Sequence, residues 1–153
     1  MEELYIKKVK VPIIRLDKSS NIPLPEYMTE TASGADIYAA IEQPYVLTPG
    51  SIGLIPTGIA VAIPPGYEIQ IRPRSGLAIK HGITVINAPG TIDSDYRGEI
   101  KVGLINLGRE TFTISPGDRI AQMVLSPCFH IQWDTVSKLP DTQRGEGGFG
   151  HTG

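Results

Sequence analysis

Glycine and proline are the residues that most constrain the fold of this chain. Its 153 residues include 17 glycines and 13 prolines, which are spread evenly between short apolar runs. Because both residues interrupt helices, this spacing favours many short strands over long helices. Turns are predicted at Pro49-Gly50, Pro64-Pro65-Gly66 and Pro116-Gly117-Asp118. The sequence therefore predicts a single all-β domain, as a sandwich, barrel or jelly roll.

Alternation of apolar and polar residues predicts the half-buried strands. Tyr67–Arg72 alternates throughout, and residues 119–125 do so again. Ser75-Gly76-Leu77-Ala78-Ile79-Lys80-His81-Gly82 is the one helical signal, with Ser75 as the expected cap and Gly82 as the expected left-handed end. Further extended segments are predicted at residues 5–14, 34–40, 44–47, 52–63, 83–87, 100–106, 111–114 and 130–133.

Charge and cysteine content narrow the class of protein. A formal net charge of −2 does not indicate a nucleic-acid partner, and no apolar run approaches the length of a membrane span. The single Cys128 precludes an internal disulfide and is interpreted as a small buried residue in a reducing compartment. The acidic start Met1-Glu2-Glu3-Leu4 lacks a signal-peptide pattern. We therefore expect a cytoplasmic protein, or an intracellular one encoded by a phage or virus.

A predicted hairpin carries the densest group of reactive side chains. A β-branched run at residues 83–87 and an alternating run at residues 100–105 flank a tip that contains Asp93, Asp95, Tyr96 and Arg97. A turn needs no such chemistry, and loops held by rigid strands often carry reacting groups. Taken alone, the tip fits a solvated polar turn about as well as an active site.

Two further segments carry groups suited to phosphate. Arg74 and Ser75 precede a helix start, where free N–H groups favour anions. Gln122 places an amide on an alternating strand. Each has a plainer interpretation, in which Ser75 only caps the helix, Arg74 only covers surface and Gln122 only faces solvent.

The last residues differ in composition from the rest. Residues 145–153 contain five glycines, with Arg144 before them and Phe149 among them. Such a segment cannot bury enough surface to order itself, and a frayed terminus is its usual fate. An Arg and a Phe among glycines also suit a lid that closes over a phosphate and a flat base. We predict a β domain at residues 1–136 and a flexible arm at residues 137–153.

Five segments, in this order, resemble the five motifs of the trimeric dUTPases (deoxyuridine triphosphate nucleotidohydrolases), and the resemblance runs from about Ser33 to the end of the chain. The segments are Ser33-Gly34-Ala35-Asp36-Ile37, Pro73-Arg74-Ser75-Gly76-Leu77-Ala78-Ile79-Lys80-His81-Gly82-Ile83, Asn87-Ala88-Pro89-Gly90-Thr91-Ile92-Asp93-Ser94-Asp95-Tyr96-Arg97-Gly98-Glu99, Gly117-Asp118-Arg119-Ile120-Ala121-Gln122 and Arg144-Gly145-Glu146-Gly147-Gly148-Phe149-Gly150.

The resemblance implies a fold and a reaction. The fold is a jelly-roll-like β-clip with one short helix, assembled as a homotrimer with sites at subunit boundaries. The reaction is hydrolysis of dUTP to dUMP and pyrophosphate, which limits uracil in DNA and supplies dUMP for dTMP synthesis. Asp93 is implied as the base that activates water for in-line attack on the α-phosphorus, with Asp95 as the other candidate.

The resemblance also implies how the nucleoside is held. Tyr96 packs under the deoxyribose and Asn87 hydrogen-bonds the uracil edge. Phe149 stacks on uracil when the tail closes. The further implied substrate-binding residues in the hairpin and tail are Gly90, Thr91, Ile92, Lys101 and Gly150.

For the phosphates, the resemblance implies Arg74, Ser75, Gly76 and Gln122, with Arg144 on the γ-phosphate. Asp36 is implied as a support near the site, with Arg144 as its candidate partner. Mg²⁺ is expected to arrive on the triphosphate, with no direct protein ligand. Departures from the family pattern are His151 and the basic Arg72 ahead of Pro73.

Two other functions on this fold are disfavoured, because the features that each would show are not seen in the sequence. A dCTP deaminase would show a longer chain and a different segment around Arg74-Ser75. A non-catalytic relative that signals to a protein partner would not need Asp93 or the glycine-rich tail. The sequence does not exclude a regulatory partner in addition to catalysis.

Overall fold

The computed structural model describes residues 6–16 and 21–150, so the expectation for His151 lies outside the described residues. Within them the chain forms eleven strands and one helix, which confirms the all-β prediction. The elements are β1 Ile13–Arg15, β2 Ala35–Tyr38, β3 Tyr45–Leu47, β4 Ile52–Pro56, β5 Ile59–Val61, β6 Tyr67–Arg72, α1 Ser75–His81, β7 Ile83–Val85, β8 Gly90–Ile92, β9 Lys101–Asn106, β10 Phe112–Ile114 and β11 Arg119–Pro127.

The strands pair antiparallel throughout the described chain. The largest sheet has the order β2-β11-β6-β8, and a second has the order β4-β9-β7. Two-stranded sheets join β1 to β5 and β3 to β10. In the largest sheet Gln122 lies opposite Asp36 on one side and Arg72 on the other, so three polar residues form one row across three strands.

The alternation predicted for β6 is borne out by its burial. Ile69 and Ile71 are buried, whereas Gln70 is half-buried and Arg72 is exposed. The inward residues join one core, and each large apolar side chain buried there contributes roughly 1.5–3 kcal/mol. Fully buried members of this core include Ile37, Leu47, Ile55, Ile63, Ile83, Ile100, Val102, Leu104, Ile114 and Ile120.

The predicted helix is present, but its cap is not Ser75. The cap position is Arg74, which has an extended backbone and makes no side-chain capping bond. Ser75 is already the first helical residue, because the chain turns into the helix directly after Pro73-Arg74. At the other end Gly82 has φ 70°, and a Cβ there would lie 2.4 Å from the backbone nitrogen of Gly108. The glycine prediction is therefore confirmed, and a side chain at that position would clash.

The hairpin prediction is correct for its strands and wrong for its tip. Strands β7 and β9 pair as predicted, with Ile83 opposite Asn106. Between them Gly90–Ile92 forms β8, which pairs with β6 in the other sheet. The segment therefore crosses between two sheets and returns.

Two predictions near the end of the body are wrong. Residues 130–133 form no strand, and Cys128 is exposed. Strand β11 ends at Pro127, which lacks a backbone N–H to continue the ladder. Cys128 makes one backbone bond to Gly66, at 2.8 Å, and the exposed side chains beyond it leave the sheet.

Candidate active site

Asp36 is the centre of a charged cluster at one end of the largest sheet. Its carboxylate lies 3.5 Å from Nε of Arg74 and 3.1 Å from Nη1 of Arg119. Arg74 also donates from Nη1 to the carbonyl oxygen of Arg119, at 3.1 Å. Because a buried carboxylate needs compensating partners, Asp36 holds both guanidinium groups in place. Arg74 is therefore not merely a surface cover.

Arg119 is a member of this cluster that the sequence analysis missed. Asp36 was the sequence feature that could have indicated this cation. Every residue of its strand is buried, and a buried carboxylate calls for a cation on a neighbouring segment. The expected partner Arg144 does not reach Asp36 within this chain. Its Nε instead donates to the carbonyl oxygen of Gly147, at 2.6 Å.

Gln122 is fixed between the first two motifs. Its Nε2 donates to the carbonyl oxygen of Pro73 at 3.0 Å. Its Oε1 occupies the space in front of Gly34, where an added Cβ would lie only 2.3 Å away. A side chain at position 34 would therefore displace this amide, and strand pairing explains why segments distant in sequence meet here.

A cleft of about 550 Å³ opens beside this cluster and contains both Ser75 and Gln122. The hydroxyl of Ser75 is exposed and makes no hydrogen bond to another described residue. It is therefore available for a ligand. We call this the phosphate cleft, lined by Gln70, Arg72, Pro73, Ser75, Ala88, Pro89 and Gln122.

A second cleft, of about 380 Å³, lies at the β8–β9 crossing. It brings together five predicted site residues: Thr91, Ile92, Asp93, Tyr96 and Lys101. We call it the hairpin cleft. Its remaining lining residues, which the sequence analysis did not select, are Leu54, Glu99 and Ile100.

The tip of the crossing is a turn held by its own side chains. The Tyr96 amide donates to the carbonyl oxygen of Asp93 at 3.2 Å, and Nη1 of Arg97 donates to that of Ser94 at 2.7 Å. The tip is therefore a turn and not an extended strand. Both aspartates are exposed, but Asp93 lines the hairpin cleft and Asp95 does not.

Tyr96 has a defined position in this turn. Its hydroxyl donates to the carbonyl oxygen of Glu99 at 2.9 Å, and its ring packs against Gly98. An added Cβ at Gly98 would lie 2.4 Å from that hydroxyl. Glu99 in turn accepts a bond from the Gly58 amide at 3.1 Å, which ties the crossing to the core.

Four other predicted residues flank the clefts without lining them. Arg74 and Gly76 adjoin Ser75, and Asn87 and Gly90 adjoin the Ala88-Pro89 wall of the phosphate cleft. Gly90 is buried opposite Ile71, and an added Cβ would lie 3.1 Å from the Cβ of Ile71.

The two clefts are separate on one chain and share no lining residue. Ile92 pairs with Ile69, so Asp93, the next residue, lies beside the first residues of β6. Ser75 lies beyond the last residue of β6, at the opposite end of the strand. From Glu68 to Arg72 the strand rises four residue steps, about 13 Å. One chain therefore does not present Asp93 and Ser75 to a single phosphate group.

The surroundings of Cys128 include the carboxylate of Asp93. The pKa of its thiol is raised, first because neighbouring protein removes part of the thiolate's hydration and then because of the negative charges of Glu68 and Asp93. The thiol is exposed, so Asp93 lies near an accessible sulfur at the start of β6.

The described part of the tail, residues 137–150, contributes to neither cleft within its own chain. Phe149 is fully exposed and has φ 49°, and Trp133 is also exposed. The hydrogen bonds of the tail are local, such as that from the Gly145 amide to the carbonyl oxygen of Thr142. Arg144 and Phe149 therefore need another surface if they are to meet a substrate.

Residues 6–16 and 21–150 contain no group of three or more His, Cys, Asp or Glu side chains placed to hold a metal ion. No helix in these ranges is long and apolar enough to cross a bilayer.

Comparisons with known proteins agree with the five-motif resemblance. The dUTPase family profile matches residues 20–153. The chain is 58% identical over 147 residues to the deoxyuridine 5'-triphosphate nucleotidohydrolase of Desulfotalea psychrophila, covering 96% of this chain and 98% of that one.

Solved structures show the same fold. The Staphylococcus bacteriophage 80alpha dUTPase with dUPNHPP aligns with a TM-score of 0.84 at 27% identity, covering 95% of this chain and 99% of that one. A mutant dUTPase from phage phi11 of S. aureus, described with a structural Mg(II) ion, aligns at 0.75 with 26% identity over 85% and 98% of the two chains. The jelly-roll-like fold prediction is thus confirmed, and the chain belongs to the dUTPase family.

Proposed function

We propose that the protein hydrolyses dUTP to dUMP and pyrophosphate in sites assembled from three copies of the chain. The observation that carries this proposal is the separation of the two clefts. Asp93 and Ser75 lie at opposite ends of β6, and the tail reaches neither cleft. A site that needs all three parts is complete only if different copies supply them, as in a homotrimer.

Asp93 is the proposed general base. Its carboxylate takes a proton from water, whose oxygen attacks the α-phosphorus in line with the bridging oxygen. The bond between the α-phosphorus and the bridging oxygen then breaks, and pyrophosphate leaves with that oxygen. A positioned base typically contributes 10²–10⁴-fold, and the closed turn around Asp93 supplies the positioning.

The hairpin cleft is the proposed nucleoside site. Thr91, Ile92 and Lys101 line it, and Gly90 precedes Thr91 in the chain. Together with Asn87, which lies beside the phosphate cleft, these residues would hydrogen-bond uracil and leave no room for a thymine methyl. Tyr96, fixed by Glu99 and Gly98, lies under the sugar and excludes a 2′-hydroxyl. Sites that pair a base by hydrogen bonds discriminate more strongly than apolar pockets do.

The phosphate cleft is the proposed triphosphate site. Ser75 offers a free hydroxyl, with Gly76 beside it, and Arg74 and Gln122 are already oriented by Asp36 and Pro73. This arrangement fits a Mg²⁺ ion that is coordinated by the triphosphate and enters with it. The described residues hold no carboxylate cluster for the ion, and the carboxylate of Asp36 is already paired with two arginines. When bound, Mg²⁺ supplies neutralisation of phosphate charge.

The tail is the proposed lid. Its glycines allow it to close over a neighbouring copy, with Arg144 on the γ-phosphate and with Phe149 and Gly150 over the base. Closure would exclude bulk water and strengthen every charge interaction inside. In the cell the reaction would limit uracil in DNA and supply dUMP for dTMP synthesis, which suits an intracellular enzyme.

The test is pyrophosphate release, with Mg²⁺, from dUTP, dCTP, dTTP and UTP in parallel, together with the mass in solution by light scattering. We expect release from dUTP alone and a mass of three chains. Ammonia release from dCTP would assign the protein to the deaminases instead. Binding of dUTP without turnover would favour a regulatory relative and a search for its protein partner.

A further inference from the structure

Arg72 lies in the phosphate cleft but has no role in the function proposed above. It is the last residue of β6, it is exposed, and its Cα partner across the sheet is Gln122. The cleft places it together with Ser75 and Pro73. Its guanidinium therefore belongs to the same wall as the groups that are proposed to hold the triphosphate.

The side chain of Arg72 is already ordered. Its Nε and Nη2 both donate to Oε1 of Gln70, at 3.2 and 2.8 Å, and Gln70 donates to Oε1 of Glu68 at 2.7 Å. These bonds use two of the five guanidinium donors. No other described residue accepts a hydrogen bond from Nη1. The bonds to Gln70 hold the side chain in place, and its remaining donors are available to a ligand.

The charge of Arg72 is not neutralised by the described chain. Arg74 and Arg119 share the carboxylate of Asp36, whereas Arg72 forms no ion pair with a residue of ranges 6–16 or 21–150. A cation that is ordered, exposed and unpaired beside a free hydroxyl attracts a multiply charged anion, and guanidinium groups bind phosphate oxygens in bidentate geometry.

We propose that Arg72 is a further binding residue for the β- and γ-phosphates, the part of dUTP that leaves as pyrophosphate. This inference rests on the proposed function. With Asp93 acting at the α-phosphorus, the end of the triphosphate remote from the nucleoside faces the phosphate cleft, where Arg72 adjoins Ser75. The plainer alternative is that the side chain only covers the outer face of β6.

The test compares Arg72→Gln and Arg72→Lys with the control Arg109→Gln, which removes the same charge from an exposed turn that lines neither cleft. Calorimetric affinities for Mg-pyrophosphate and for dUMP are measured on each assembled protein, together with KM and kcat for dUTP. We expect Arg72→Gln to weaken pyrophosphate binding and raise KM by about ten-fold or more, with dUMP affinity changed less than about two-fold. Arg72→Lys should recover part of the loss, and Arg109→Gln should match the wild type.

Three results would overturn the inference. Unchanged pyrophosphate affinity would leave Arg72 as a surface cover. Equal losses for dUMP and pyrophosphate would indicate general damage to the site. A smaller assembly by light scattering would assign Arg72 to contact between copies. If the wild type binds pyrophosphate but does not hydrolyse dUTP, the proposed function fails while the affinity comparison still decides the role of Arg72.

Discussion

The sheet that carries Asp36 and the tail that carries Phe149 present functional groups in opposite ways. In the sheet, side chains from three strands are held by ion pairs and strand register before any ligand arrives. In the tail, Phe149 is fully exposed and the hydrogen bonds are local. The proposed phosphate site is therefore preorganised, at a cost paid on folding, whereas the proposed lid would have to be ordered on each binding event.

The largest expected effect comes from the body. Asp93→Asn removes the proposed base but keeps the size of the side chain, so kcat should fall about 10²–10⁴-fold. Affinity for a non-hydrolysable dUTP analogue should change less than about two-fold, measured by calorimetry. Asp95→Asn is the matched control and should retain turnover, since Asp95 does not line the hairpin cleft. Loss of turnover in Asp95→Asn with full activity in Asp93→Asn would reverse the assignment.

Truncation after residue 143 tests the other side of the comparison. Without Arg144 and Phe149 the site stays open to water, so kcat/KM should fall on the order of 10²-fold. The melting temperature should stay within about 2 °C of the wild type, because the tail is exposed and packs against little of the β domain. A large drop in melting temperature would instead make the tail a structural strap, and the contrast between sheet and tail would no longer hold.

A third prediction compares one ion-pair carboxylate from each region. Asp36→Asn leaves Arg74 and Arg119 without a carboxylate and should cost about 2 kcal/mol, less than a fully buried pair because Arg119 is 42% exposed. Its melting temperature should drop by about 4–8 °C. Asp141→Asn removes the partner of Lys138 in the tail, where both side chains are exposed, and should change nothing measurable. Equal shifts in calorimetry would contradict the comparison.

The sheet was more predictable from sequence than the site it supports. The alternation of Tyr67–Arg72 fixes which residues face the core, and Gly82 ends the helix as local chemistry requires. These are short-range effects, which a pattern reports directly. The role of Arg119 was missed because its contact with Asp36 joins residues 83 positions apart and depends on strand register.

The wrong predictions share a physical cause. Cys128 was expected to be buried from its residue type, but it follows the last strand and is exposed. The sequence places residues 90–92 in a tip, but pairing with β6 makes them a strand. In each case the outcome depends on where the strands of the largest sheet pair and end. The separation of the two clefts is likewise a property of the assembled sheet.

The smallest predicted effect concerns Tyr38, which lies two residues from Asp36 and is buried. Its hydroxyl donates to Oε2 of Glu26 at 3.0 Å. Burial raises the pKa of Tyr38 above its ordinary value of 10.0, and the Glu26 carboxylate raises it further. The folded protein therefore keeps this proton after the unfolded chain has lost it.

This linkage gives a signed pH dependence. Below pH 10 the contribution of Tyr38 is constant, and above pH 10 stability should fall with rising pH, by up to about 1.4 kcal/mol per pH unit, until the folded-state pKa is reached. Tyr38→Phe should be about 1 kcal/mol less stable near pH 7, and its deficit should shrink above pH 10. Tyr27→Phe, at an exposed position, is the control and should run parallel to the wild type in urea unfolding. A stability deficit of Tyr38→Phe that stays constant from pH 7 to 11 would show that ionisation of the buried phenol is not coupled to folding. The preorganisation of the sheet would then rest on the Asp36 ion pairs alone.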